Sequence, residues 1–189
     1  MMKRDDFLKV LAKHRTEEVV VAVYTAAQEF IQISPHPLNY TFTGAMGQGS
    51  SHALGIALGR PDKRVIVLDG DGSLLMNLGT LVTIAHAAPK NLLHCLCRNG
   101  SYETNGAVSI PNRENLSFPA MATAAGYRRA LSISSLEDWD RQLPGLLVEP
   151  GPVFVDIEMQ KGATYKEDFE RLYDPSFRDA FRRALAASK

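Results

Sequence analysis

The stretch Arg64-Val65-Ile66-Val67-Leu68-Asp69-Gly70-Asp71-Gly72-Ser73-Leu74 decides the fold. Its run of Val65 to Leu68 is apolar without alternation and is bounded by turn residues, so it reads as a strand buried on both faces. A helix follows from Leu74 to Ala88, closed by Pro89. Similar units lie on either side. Glu18 to Val23 reads as a buried strand with a helix from about Ala26 to Ile33 behind it, and Tyr40 to Thr43 as a short strand. Ser50 to Leu58 is a small-residue helix stopped by Gly59, with Pro61 just beyond. Downstream, Leu92 to Cys97 is a strand, Ala120 to Ala125 is helical, Tyr127 to Ile133 is extended, and Pro152 to Met159 is the last strand. Ser134-x-x-Glu137 has the form of a capping box, opening a helix with Leu136, Trp139 and Leu143 on one face. Asp174-Pro175 suits the first positions of a closing helix whose stripe is Phe177, Phe181 and Leu185. This alternation predicts an α/β fold: a doubly wound, mainly parallel sheet with helices on both faces. The chain is read as a single domain over 1–189, with 160–189 a C-terminal helical tail.

Composition removes several classes of function. The 21 Lys and Arg balance the 21 Asp and Glu, so no broad basic field exists for nucleic acid or an acidic membrane surface. With 45% hydrophobic and 22% charged residues the chain is globular, not disordered. No apolar run reaches the roughly 20 residues of a spanning helix. Met1-Met2-Lys3-Arg4-Asp5-Asp6 lacks the apolar stretch of a secretory signal, and a cytoplasmic setting is expected. Cys95 and Cys97 give no disulfide framework; one residue apart on a strand, they read as packed thiols.

Ligands of a doubly wound sheet bind outside the carboxyl ends of its strands. Tyr24-Thr25, Gly44-Ala45-Met46-Gly47, Asp69 to Ser73 and Arg98 to Glu103 are therefore expected along one edge. In Gly70-Asp71-Gly72-Ser73 the glycines allow a tight turn, and the helix start offers N–H groups to an anion. Asp71 sets a carboxylate beside that anion, an arrangement that calls for a cation between them; Mg²⁺ suits such oxygen ligands. Tips of adjoining strands lie about 5 Å apart, so Asn99 reaches the same ion. The segment from Asn99 to Pro119, long and rich in Gly, Asn, Ser and Pro, reads as a functional loop.

Gly70-Asp71-Gly72 followed by Asn99, 28 residues after Asp71, resembles the thiamine diphosphate motif. Together with Gly44-Ala45-Met46-Gly47, Asn99-Gly100-Ser101-Tyr102, Gly106 and Pro89-Lys90-Asn91, it resembles the small β subunit of two-chain 2-oxo acid decarboxylases, in the style of sulfopyruvate and phosphonopyruvate decarboxylases. The resemblance implies that Asp71, the Asn99 side-chain oxygen and the Ser101 carbonyl ligate Mg²⁺, with two diphosphate oxygens and one water. It implies that Gly72 and Ser73 hold the diphosphate of thiamine diphosphate and that Thr25 donates to it, with Gly70 and Tyr102 completing the cofactor contacts. Gly44 would accept from the pyrimidine 4′-amino group, and the Met46 N–H would meet a ring nitrogen while its side chain wedges beneath the cofactor. The resemblance gives no certain catalytic residue in this chain: the activating Glu would sit on a separate pyrimidine-binding α subunit. The implied assembly is a hetero-oligomer of α/β pairs, a homodimer of this chain being the other arrangement, and the substrate is a small 2-oxo acid.

Three features depart from that pattern: Val23-Tyr24-Thr25-Ala26-Ala27 after the first strand, Arg98 before Asn99, and His52 where an apolar residue is usual. They motivate an alternative, a non-catalytic cofactor-binding or regulatory partner. A further alternative takes Asp69-Gly70-Asp71-Gly72-Ser73 as a haloacid-dehalogenase-type phosphatase loop, with Asp69 as nucleophile and Asp71 as general acid/base. His86 and His94 read as structural imidazoles, and Arg98 and Arg113 as candidates for an anionic substrate tail.

Overall fold

The structure, a computed structural model, describes residues 1–188. Its centre is a parallel sheet of seven strands: β1 (Met2–Lys3), β2 (Val19–Val23), β3 (Asn39–Phe42), β4 (Val65–Gly70), β5 (Leu92–Arg98), β8 (Arg129–Ile133) and β9 (Val153–Gln160). They lie in the order β3-β2-β4-β5-β9. Both β8 and β1 run alongside β9, β8 from Val153 and β1 at its end, Met2 opposite Met159. The unbroken apolar strands follow from this layering. Val20, Ala22, Ile66, Leu68, Cys95 and Cys97 belong to one core cluster, and their neighbours Val19, Val21, Val65, Val67, Leu92 and Leu96 to the other. With both faces covered, every position along a strand is an inside position. The two free cysteines accordingly pack side by side, as buried thiols.

The first cluster is covered by α1 (Arg4–His14), α2 (Tyr24–Ile33) and α7 (Leu136–Val148), the second by α3 (Gly49–Gly59), α5 (Thr80–Ala87) and α6 (Phe118–Ala125). Trp139 is fully buried, its ring 4.7 Å from Phe7 and its Nε1 donating to the Phe7 carbonyl at 3.2 Å. The cap of α7 is one residue later than the sequence pattern suggests: Ser135 Oγ, not Ser134, accepts from the Asp138 N–H at 3.1 Å. Ser135→Ala should therefore lower stability by about 1 kcal/mol, read as a shifted urea midpoint at unchanged slope, while Ser134→Ala leaves it in place.

Other expectations are corrected. The helix from Leu74 to Ala88 is two helices, α4 (Asp71–Leu75) and α5, separated by a turn at Asn77-Leu78-Gly79. Asn77 Nδ2 donates to the Gly47 carbonyl at 3.0 Å, so a tertiary bond holds the break open. Helix α4 also begins at Asp71, which puts Gly70 at its N-cap. The charged N-terminus, read for targeting alone, forms α1, whose Phe7, Leu8 and Leu11 are fully buried. The segment after Asn99 contains a small hairpin, β6 (Ser101–Tyr102) with β7 (Val108–Ser109). The closing helix is as expected, α9 (Pro175–Ala187), with Asp174 accepting from the Ser176 N–H at 2.8 Å. A short helix, α8 (Phe169–Tyr173), precedes it. Phe181 of α9 lies 5.1 Å from the Tyr40 ring of β3, so the tail shields the edge strand. No helix among the described residues is long and apolar enough to cross a membrane.

Candidate functional site

From β2 the chain winds outward to β3 on one side, and from β4 to β5 on the other. The crevice at this reversal, outside the tips of β2, β4 and β5, is where a ligand finds several loop ends at once. A cleft of about 460 Å³ opens there, lined by Thr25, Met46, Gly70 to Ser73, Asn99 and Ser101 to Thr104. The four segments expected on one edge are thus brought together.

Asp71 is the first residue of α4 and is buried. Its Oδ1 accepts from the Gly72 N–H at 2.9 Å, and its Oδ2 from the Gly100 N–H at 2.6 Å. One carboxylate therefore ties the tips of β4 and β5. Burial raises its pKa, and the two amide donors oppose that rise. Asn99 Oδ1 accepts from the Ser101 N–H at 2.9 Å and its hydroxyl at 3.1 Å, while Nδ2 donates to Glu103 Oε2 at 3.0 Å. Tyr102 rests on Gly72 so closely that a Cβ there would lie 2.6 Å from its ring, so only glycine fits. The Gly44 to Gly47 turn is fastened to α4: the Gly47 N–H donates to Ser73 Oγ at 3.0 Å, and Gly47 itself sits at φ +84°.

Each Asp71 oxygen accepts one N–H and retains a further lone pair, while Asn99 Oδ1 frees one when the rotatable Ser101 hydroxyl turns away from it. The groups that could ligate an ion, the Asp71 carboxylate, the Asn99 amide and the Ser101 carbonyl, all offer oxygen, which is the chemistry of a hard divalent cation. The N-terminus of α4, with Ser73 and Thr25 beside it, supplies donors for an anion next to that cation. The residues present therefore fit Mg²⁺ with a diphosphate.

Asp69 is fully buried beneath this loop. One oxygen accepts from the Gly70 N–H at 3.0 Å; the other has no partner and faces His94 Nε2 at 3.8 Å. Burial lifts Asp69 to about 6 and drops His94 to about 3, so the two do not form an ion pair despite their separation. His94 Nδ1 meets the Tyr127 hydroxyl at 3.0 Å, a structural imidazole as expected. A carboxylate with no exposed surface cannot attack phosphorus, and the phosphatase alternative loses its nucleophile.

Gly44 lies on an adjoining cleft of about 1250 Å³, which shares Tyr24, Thr25, Glu103 and Thr104 with the first. Tyr24 takes the left-handed conformation, φ +52°, at the strand-to-helix junction, a strained choice for a residue with a Cβ. Its hydroxyl meets the backbone amides of Met46 and Gly44, and burial holds its pKa up against them. From the tail, the Tyr173 hydroxyl accepts from Thr43 Oγ1 at 2.8 Å, just beside Gly44. The other departures are less involved. Arg98 is taken by Asp156, with Nε donating at 2.9 and 3.1 Å, and His52 stacks on Tyr40 and Phe42 away from both clefts. Arg113 packs against Gly100. Sequence reasoning missed Arg4, Glu29 and Tyr173, which line these clefts from distant parts of the chain.

Residues 20–157 match a protein family described as thiamine pyrophosphate enzyme, C-terminal TPP binding domain. The chain is 34% identical over 145 residues to a phosphonopyruvate decarboxylase of Streptomyces hygroscopicus, covering 77% of this chain and 36% of that protein. It is 34% identical over 149 residues to the sulfopyruvate decarboxylase subunit beta of Methanocaldococcus jannaschii, covering 78% of each. It thus spans about a third of the first relative's length and most of the second's. In fold it is similar to benzoylformate decarboxylase from Polynucleobacter necessarius, with a TM-score of 0.68 at 20% identity over 86% of this chain and 34% of that one.

Proposed function

The chain belongs to the thiamine pyrophosphate enzymes, through their C-terminal TPP binding domain, and on that footing we propose that it is the Mg²⁺-dependent cofactor-binding subunit of a 2-oxo acid decarboxylase. Sulfopyruvate-like and phosphonopyruvate-like acids are its substrate class, and a separate pyrimidine-binding subunit completes it. The observation that carries this reading is the Asp71 bond to the Gly100 N–H at 2.6 Å, which brings the two predicted metal-ligand segments to one point. The reading places the protein in the cytoplasm, where free thiols such as Cys95 and Cys97 persist.

In this reading Asp71, Asn99 Oδ1 and the Ser101 carbonyl hold the cation. Gly70, Gly72, Ser73 and Thr25 bind the diphosphate, and Tyr102 closes over Gly72. Gly44 and the Met46 N–H orient the pyrimidine, and the half-buried Met46 side chain props the cofactor from below. Thiamine diphosphate, when bound, supplies the electron sink that lets a 2-oxo acid lose CO₂. Glu29 and Glu103 line the second cleft, but both accept from Arg4 and are held as its partners. Neither is poised as a proton acceptor, which supports an activating carboxylate supplied by the other subunit. The relative whose length this chain matches best of those named above is itself called a subunit beta.

The test is CO₂ release from a panel of 2-oxo acids, sulfopyruvate and phosphonopyruvate included, by the chain alone and mixed with a pyrimidine-binding subunit. Turnover should require the mixture. Full turnover by the lone chain would discard the separate subunit in favour of an active homodimer. The Tyr24 hydroxyl against the amides of Gly44 and Met46 favours a second reading, a regulatory partner. Cofactor binding without turnover of any acid by the mixture would select that one.

A further inference from the structure

A charged chain of side chains reaches Asn99 from the opposite end of the sequence. Arg4 opens α1, and its side chain is 4% exposed. Its Nε and Nη2 donate to the two oxygens of Glu29, at 2.9 and 2.8 Å. Its Nη1 and Nη2 donate to the two oxygens of Glu103, at 2.6 and 3.1 Å. The Glu103 oxygen that takes the shorter of these bonds also accepts from Asn99 Nδ2 at 3.0 Å. The order is thus Glu29, Arg4, Glu103, Asn99, running from α2 through α1 to the tip of β5.

The chemistry of an amide makes this order matter. Asn99 has an oxygen end and a nitrogen end, and a cation accepts only the oxygen. A carboxylate accepts and never donates, so Glu103 holds the nitrogen end on its own side. The Ser101 N–H holds the oxygen end on the other. A reversed amide would set oxygen against carboxylate and N–H against N–H. Arg4 keeps Glu103 in place through a fixed fork that stays charged at any physiological pH, and Glu29 fixes Arg4.

We propose that Glu103, seated by Arg4 and Glu29, is a positioning residue that aims the oxygen of Asn99 at the divalent cation. This rests on the reading of Asn99 as a cation ligand. It also assigns work to α1, which lies before the residues that match the family.

The test uses the full chain mixed with the pyrimidine-binding subunit in the presence of thiamine diphosphate, titrated with Mn²⁺ and followed by electron paramagnetic resonance. Glu103→Gln changes one atom, on a side chain 21% exposed, so the fold should survive. Both Glu103 oxygens accept from Arg4, so a glutamine NH₂ faces a guanidinium N–H whichever way it sits. Arg4 then no longer seats the side chain, and the hold on Asn99 Nδ2 that keeps its oxygen turned to the cation is lost. The Mn²⁺ midpoint should rise about 10- to 100-fold, the loss typical of an outer partner of a metal ligand. Asn99→Asp alone sets two carboxylates together and should also weaken binding. Combined with Glu103→Gln it should restore the midpoint towards the native value, because aspartate has no wrong end. A thermal shift in Glu103→Gln with an unmoved Mn²⁺ midpoint would overturn the proposal, as would failure of the double variant to recover. If the native chain takes up no Mn²⁺ with thiamine diphosphate, the site reading falls and the proposal with it. If the native chain binds and Glu103→Gln binds equally, the positioning role alone falls.

Discussion

Asp71→Ala should abolish Mg²⁺-dependent retention of thiamine diphosphate and leave the chain folded. The carboxylate stands at the carboxyl end of β4, where it adds nothing to either apolar cluster. Its removal takes an acceptor from the Gly72 and Gly100 N–H groups. One buried amide left unpaired costs about 1–3 kcal/mol. Against that stands the relief of a carboxylate whose burial has raised its pKa. The two effects oppose each other, and the net change in stability should be small. The ligand role has no such compensation. Alanine offers no oxygen to the cation and no charge to balance it, so the loss should exceed the about 100-fold cost of removing an outer partner. Equilibrium dialysis with and without Mg²⁺, run beside a urea titration, separates binding from folding. Asp71→Asn keeps an oxygen but not the charge and should fall between the two. Cofactor retained by the alanine variant at native Mg²⁺ concentrations would move the ion elsewhere in the cleft.

What the amino-acid sequence disclosed, and what it hid, follows the range of the interactions. The run from Val65 to Leu68 announced itself because a strand buried on both faces must be apolar throughout, and that is a local property. Once the units were in doubly wound order, the tips had to meet, and Asp71, bonded to Gly100, lines one cleft with Asn99. The break between α4 and α5 was hidden because the residues around it keep a helical apolar spacing. It is opened by Asn77 bonding back to Gly47, 30 residues earlier. Arg4 was invisible for the same reason: nothing near position 4 encodes a bond to Glu103, 99 residues away. Tyr24 was recognisable as a departure, but its left-handed backbone and its seat against the amides of Gly44 and Met46 depend on the fold. Residues whose environment is their own segment could be read, whereas those defined by a distant partner could not.

The same loop stores a cost that a single substitution should release. Asp69→Asn is expected to raise stability by up to about 3 kcal/mol at pH 8 and by almost nothing near pH 4. Burial lifts the Asp69 carboxyl from its usual 3.8 to about 6, and each tenfold change in proton affinity is worth about 1.4 kcal/mol. The sign follows from proton counts. Between those two values the folded chain binds the Asp69 proton and the unfolded chain does not, so acidification stabilises. The destabilisation is complete above 6 and gone below 3.8. His94 works the other way. Buried and uncharged, it titrates at about 3 instead of 6.5, so the unfolded chain gains its proton first and acidification destabilises. Over the window from about 4 to 6 the two slopes offset each other in the native chain. Asparagine removes one of them, so the variant should lose stability on acidification where this pair leaves the native chain level. The substitution also suits the geometry. The new side chain keeps an oxygen for the Gly70 N–H and offers an N–H to the unpartnered Nε2 of His94, which then donates from Nδ1 to Tyr127. Urea midpoints at pH 8 and near pH 4.5 decide it. A variant no more stable than the native chain at pH 8 would mean that the Asp69 charge is compensated where it sits. A gain confined to pH 8 would show that the loop from Gly70 to Ser73 is built over a carboxylate the fold tolerates at a cost.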